Sequence, residues 1–157
     1  SAVRVLVVTV SDRAAGGEYE DRSGPAVAGV LRECLEEVEI ASSIVPDDAG
    51  RILEELLAGL EYDVVLTTGG TGISPGDVTP EVTESFCRRM VPGIAEALRA
   101  ASMEQTPAAM LSRGVAGIRA NTLVVNLPGS VRGAEFCARE LAPVLPHALA
   151  MMRGEGH

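Results

Sequence analysis

This chain of 157 residues contains no lysine: all 13 of its basic residues are arginine. That absence excludes a Schiff-base lysine and a P-loop lysine, so any phosphate must be met by arginine, backbone N–H groups, a helix N-terminus or a metal ion. Tryptophan is also missing and aromatics make up only 3% of residues, which leaves an aliphatic core. There are two histidines, His147 and the terminal His157, too few for a histidine-rich metal site and poorly suited to a Ser-His-Asp triad. Cys34, Cys87 and Cys137 lie far apart with no CxxC pair. All three fall in segments read as helices, and they suit a reduced, cytoplasmic protein with buried thiols. No apolar run reaches the ~20 residues of a membrane span, and the N-terminus does not resemble a signal peptide. The net charge of −9 argues against nucleic-acid binding, which needs a basic face. A small anion is still allowed, because a pocket can differ in sign from the whole surface.

What is present is an alternation of short aliphatic runs with amphipathic stretches. Residues 4–10, 39–45, 63–68 and 122–127 read as buried strands rich in Val, Leu and Ile. Between and after them, helical spacing predicts helices. One starts at Pro25 and carries Val27, Val30, Leu31, Cys34, Leu35 and Val38. A second, capped by Asp47 or Asp48, carries Ile52, Leu53, Leu56, Leu57 and Leu60. A third is capped by Thr79, takes Pro80 at its first position and carries Val82, Phe86 and Met90. Pro92, Pro107 and Val131 open further helical stretches, the last broken or kinked by Pro143 and Pro146. Residues 12–24 read as loop. The expected fold is α/β: one three-layer αβα domain over residues 1–157 with a mainly parallel sheet.

In such a sheet ligands bind beyond the carboxyl ends of the strands. Those ends carry unusual chemistry here: Ser11 and Asp12 after the first, Asp47 and Asp48 after the second, Gly69-Gly70-Thr71-Gly72 after the third, and Asn126 with Pro128-Gly129-Ser130 at the fourth. Glycines allow positive φ and close approach of backbone N–H groups to an anion. The turn is neither GxxxxGK[ST] nor GxGxxG. Asp77 follows within one loop. With Thr79 and Pro80 supplying the helix start, its carboxylate is free to hold a divalent cation against phosphates.

These motifs, together with Asp77-Val78-Thr79-Pro80-Glu81, Pro92-Gly93 and Leu111-Ser112-Arg113, occur in an order that resembles the MogA/MoaB family of molybdenum-cofactor biosynthesis, which includes the G domains of plant Cnx and animal gephyrin. The resemblance covers nearly the whole chain. It implies an Mg²⁺-dependent adenylyltransferase that moves AMP from ATP to molybdopterin, commonly as a homotrimer, with a molybdenum-insertion protein of MoeA type as a further partner. It places Asp47 and Asp77 in catalysis and metal use. It associates Ser102 with the pterin, and residues 69–72 and 126–130 with substrate and nucleotide. Many relatives have Arg before the aspartate where this chain has Gly76; Arg13, Arg113 and Arg119 are the candidates to replace that charge. Two other readings stand beside this one: a non-catalytic, MoaB-type molybdopterin-binding module, and a CinA-like enzyme on the same fold.

Overall fold

The computed structural model describes residues 1–155; His157 lies outside them. Strand β1 (Val3–Val10) leads through a short helix α1 (Asp12–Ala15) to α2 (Ser23–Cys34) and β2 (Val38–Val45). Helix α3 (Ala49–Ala58) precedes β3 (Val64–Thr68), and α4 (Thr79–Phe86) precedes the two-residue β4 (Arg89–Met90). Then come α5 (Pro92–Ser102), a 3-10 turn (Pro107–Leu111), β5 (Ala116–Arg119), β6 (Thr122–Leu127), α6 (Val131–Leu141) and α7 (Leu145–Met152).

The six strands form one sheet in the order β2-β1-β3-β6-β5-β4, parallel from β2 through β6 and antiparallel at β5 and β4. Successive strand residues face opposite sides, so the sheet feeds two cores. Val5, Val7, Leu66 and Val125 pack against α2, α5, α6 and α7. Leu6, Val8, Val65 and Val124 pack against Ile52 and Leu56 of α3 and Val82 and Phe86 of α4. This gives the three layers. Strands β1, β3 and β6 are almost wholly buried between helices, which is why they read as continuous apolar runs, whereas the edge strand β2 is largely part-exposed with only Val45 buried.

Register positions the site. Val10 pairs with Val45, Thr9 with Thr68, and Thr68 with Leu127. The four parallel strands therefore end nearly level, and the loops after them open on one rim.

Several expectations need correction. Helix α2 ends at Cys34, because Leu35 turns extended and Val38 instead pairs with Val3 as the first residue of β2. Cys34 is exposed, and Cys87 lies just past α4, so only Cys137 is both helical and buried. Met90 belongs to β4, since α4 stops at Phe86. The stretch 12–24, expected as loop, holds α1 and the first two residues of α2. Thr79 does not cap α4: its hydroxyl donates to Gly69 O at 3.1 Å. Strands β4 and β5 were not expected, being too short and mixed to show a period of two.

Candidate active site at the strand ends

The glycine turn is shaped by its neighbours. Gly69 and Gly70 have φ of +106° and +68°, a region L side chains avoid. A Cβ on Gly69 would sit 2.3 Å from Val10 O, and one on Gly70 would sit 2.3 Å from Thr79 Oγ1 and 3.0 Å from Asp47 Oδ1. The Gly69 N–H donates inward to Leu127 O at 3.1 Å. On the other side Thr68 Oγ1 donates to Pro128 O at 2.6 Å, and a Cβ on Gly129 would meet Gly69 Cα at 3.1 Å. The turn at residues 69–72 and the turn at 128–130 thus lie backbone against backbone.

Two cavities open beside this contact. One, about 460 Å³, is lined by Ala95, Leu98 and Phe136 with Ser102, Arg99 and Arg132 among its polar groups. The other, about 520 Å³, is more polar and includes Ser11, Tyr19, Asp21, Ser23 and Asp47. Gly70, Asp77, Gly129 and Ser130 line both. They form a shared ridge.

Of the residues expected at the site, Ser11, Asp47 and Gly69 line the polar cavity, and Thr71, Gly72, Ser102, Asn126 and Pro128 line the apolar one. Asp12 lines neither. It is tied to Asp47 instead, accepting from Asp47 N–H at 2.8 Å while its own N–H donates to Asp47 Oδ2 at 3.2 Å. Asn126 is buried and committed internally: its amide donates to Thr67 and Thr83 hydroxyls at 3.0 Å each, and its oxygen accepts from Val115 N–H at 3.1 Å. Ser102 Oγ lies 3.3 Å from Cys137 Sγ in the wall of the apolar cavity.

The carboxylates lie close enough to feel one another. Burial pushes the Asp47 carboxyl above its ordinary value; the Asp12 N–H opposes this, and the charges of Asp12 and Asp77 add to it. Asp77 Oδ2 accepts from Ser74 N–H at 3.0 Å, closing a small turn. Among the described residues no group of three or more His, Cys, Asp or Glu side chains is arranged to hold a metal. Two carboxylates do suit Mg²⁺, which keeps several waters and takes its remaining ligands from phosphate oxygens. Burial is the main cause of the raised Asp47 carboxyl, and the smaller repulsion from Asp12 and Asp77 that adds to it is the part a nearby cation would relieve.

None of the three arginines considered as substitutes for a cation at position 76 lines either cavity. Arg13 stacks on Tyr19 and Arg119 on Phe86, while Arg113 bonds the loop backbone. Arg22, Arg99 and Arg132 are the arginines that face the cavities. The sequence reading also missed Tyr19, Asp21 and Ser23. Their signal was Asp21 three residues before Gly24, whose N–H it caps at 3.2 Å.

Residues 6–147 match the family model described as "Probable molybdopterin binding domain". The chain belongs to the molybdopterin-binding domain family. Within that family it is 40% identical to a molybdopterin adenylyltransferase of Helicobacter pylori over 97% of this chain and 89% of that one. It is 39% identical to the molybdopterin adenylyltransferase of Escherichia coli K12 over 82% and 68%. The crystal structure of the molybdopterin biosynthesis enzyme MoaB from Thermus thermophilus superposes with a TM-score of 0.89 at 43% identity, covering 98% of both chains. The three-layer fold is that of the MogA and MoaB structures.

Proposed function

We propose that this chain is a molybdopterin adenylyltransferase of molybdenum-cofactor biosynthesis, acting as one domain over residues 1–157. An oxygen of the molybdopterin phosphate forms a bond to the α-phosphorus of ATP, the bond from that phosphorus to the oxygen bridging to the β-phosphorus breaks, and pyrophosphate leaves. The products are adenylylated molybdopterin and pyrophosphate. The observation that carries this reading is the shared ridge: two cavities of different polarity, each large enough for one substrate, meet at Gly70, Asp77, Gly129 and Ser130.

The pterin fits the apolar cavity beside Ser102, and ATP fits the polar one. The attacking phosphate is already ionised, so the reaction requires positioning and charge neutralisation more than a general base. That agrees with a rim that has no histidine among its lining residues. Asp47 and Asp77 would hold Mg²⁺, which when bound offsets phosphate charge. The N–H groups of Gly70, Thr71 and Gly72 orient the phosphate groups between the cavities, that of Gly69 being bonded to Leu127 O. A homotrimer, a cytoplasmic location and a MoeA-type partner belong to the same proposal; no helix among the described residues is long and apolar enough to cross a membrane.

The test is release of labelled pyrophosphate from ATP with molybdopterin and Mg²⁺. The wild-type chain should turn over, and Asp77→Asn, which keeps an oxygen for Ser74 N–H, should lose about 100-fold or more in kcat. Near-normal turnover by a folded Asp77→Asn removes Asp77 from the chemistry. Binding of both ligands by the wild type without pyrophosphate release would make the chain a non-catalytic module.

A further inference from the structure

Arg113 sits outside both cavities, yet it bonds to both ends of the loop that brings Asp77 to the ridge. Its Nε donates to Gly72 O at 2.8 Å and its NH2 group to Asp77 O at 2.7 Å. Its NH1 group pairs with Glu81 in the first turn of α4. Its own backbone N–H donates to Thr71 O at 2.8 Å. One guanidinium therefore joins both ends of the 73–76 segment and the helix that follows. That segment has little else to hold it: Ile73 is 67% exposed, a Cβ on Gly76 would meet nothing within 4 Å, and its closure is the Ser74–Asp77 turn.

We propose that Arg113 is a positioning residue that sets the place of Asp77 relative to the glycine turn. It acts on the backbone at each end of the loop and not on a ligand. The planar fork is needed because two carbonyls and a carboxylate lie in three fixed directions, which the single ammonium of a lysine cannot satisfy together. Glu81 holds the fork in orientation, and the Arg113 hydrogen bond in turn keeps the Glu81 carboxyl below its ordinary value. A displacement of Asp77 by about 1 Å would cost on the order of 100-fold in rate.

The kinetic part of the test rests on the adenylyltransferase reading, so wild-type turnover is established first; its absence counts against that reading and not against the role of Arg113. Amide exchange in residues 72–78 is measured independently of activity. For Arg113→Ala the expected result is a fall in kcat of about 100-fold, an unchanged KM for molybdopterin, exchange at least tenfold faster in that loop alone, and partial recovery with millimolar guanidinium. Arg113→Lys should recover little. A folded Arg113→Ala with kcat within twofold of wild type, or with wild-type exchange in the loop, overturns the proposal. A uniform loss of kcat, of both KM values and of melting temperature also overturns it, since that is the signature of a general structural role. If Arg113→Ala does not fold, Glu81→Gln carries the test. Faster exchange confined to residues 72–78 with a several-fold lower kcat supports the proposal, and wild-type values in both overturn it.

Discussion

Asp12 and Asp47, 35 positions apart, hydrogen-bond each other in both directions, each backbone N–H donating to the other's carboxylate. The exchange locks the loop after β1 to the loop after β2 and keeps two negative charges side by side. Asp12→Asn retains the oxygen that receives Asp47 N–H while removing a charge. The raised pKa of Asp47 should then fall toward its ordinary 3.8, as read by carboxyl-carbon NMR titration. The sign for stability follows. Between 3.8 and the raised value the folded state binds more protons than the unfolded one, so in wild type this group makes stability decline as pH rises through that window. Asp12→Asn should flatten that decline. An unmoved Asp47 titration would show that the Asp12 charge is not felt.

Asn126 braces three elements from inside the sheet. Asn126→Ala strands the Val115 N–H and removes the partner of the Thr67 and Thr83 hydroxyls. A single buried orphan costs about 1–3 kcal/mol, so urea denaturation should show a loss of at least about 2 kcal/mol. A loss below half a kilocalorie would mean that the network rearranges freely.

Gly69 and Gly76 lie seven residues apart and should behave oppositely. An alanine at Gly69 meets Val10 O at 2.3 Å with φ at +106°, whereas one at Gly76 meets nothing within 4 Å. Gly69→Ala is expected to lose about 3 kcal/mol together with activity, and Gly76→Ala to change neither. Thermal melts with turnover assays decide it; equal effects at the two sites would count against the packing described for the turn.

Cysteine reactivity should be graded by burial. Cys34 is exposed; burial pushes the Cys87 thiol up to about 11 and raises Cys137 as well. A disulfide reagent at pH 8 should react rapidly with one thiol, and Cys34→Ser should abolish that phase. Rapid reaction of two thiols would show opening of the core around Cys87 or Cys137.

Much of this arrangement was readable before any coordinates. The four parallel strands announce themselves within a residue of their observed limits: β1, β3 and β6 as apolar runs, because strands covered on both faces need no polar alternation, and the edge strand β2 as aliphatic residues interspersed with polar ones. The crowding of glycines and aspartates at their ends follows from the same topology. Less legible were features that depend on distant partners. Thr79 looks like a helix cap in isolation, but the glycine turn folds over it and takes its hydroxyl. Asp12 looks like a ligand group, but Asp47 claims it. Strand β5 is four residues with a glycine, and it exists because Gly117 lets the chain pass against Cys87, where a Cβ would be 2.8 Å away. Arg113 has no local signal for its role, since its partners lie 32 to 41 positions earlier.

The ridge common to the two cavities has a consequence for how the protein can change. A substitution at Gly70, Asp77, Gly129 or Ser130 alters the walls of both compartments at once. With the two substrates placed as proposed, preference for one therefore cannot be retuned there without disturbing the other. Drift in selectivity has to begin at the far walls, at Phe136 or Arg99 on one side and Tyr19 or Arg22 on the other.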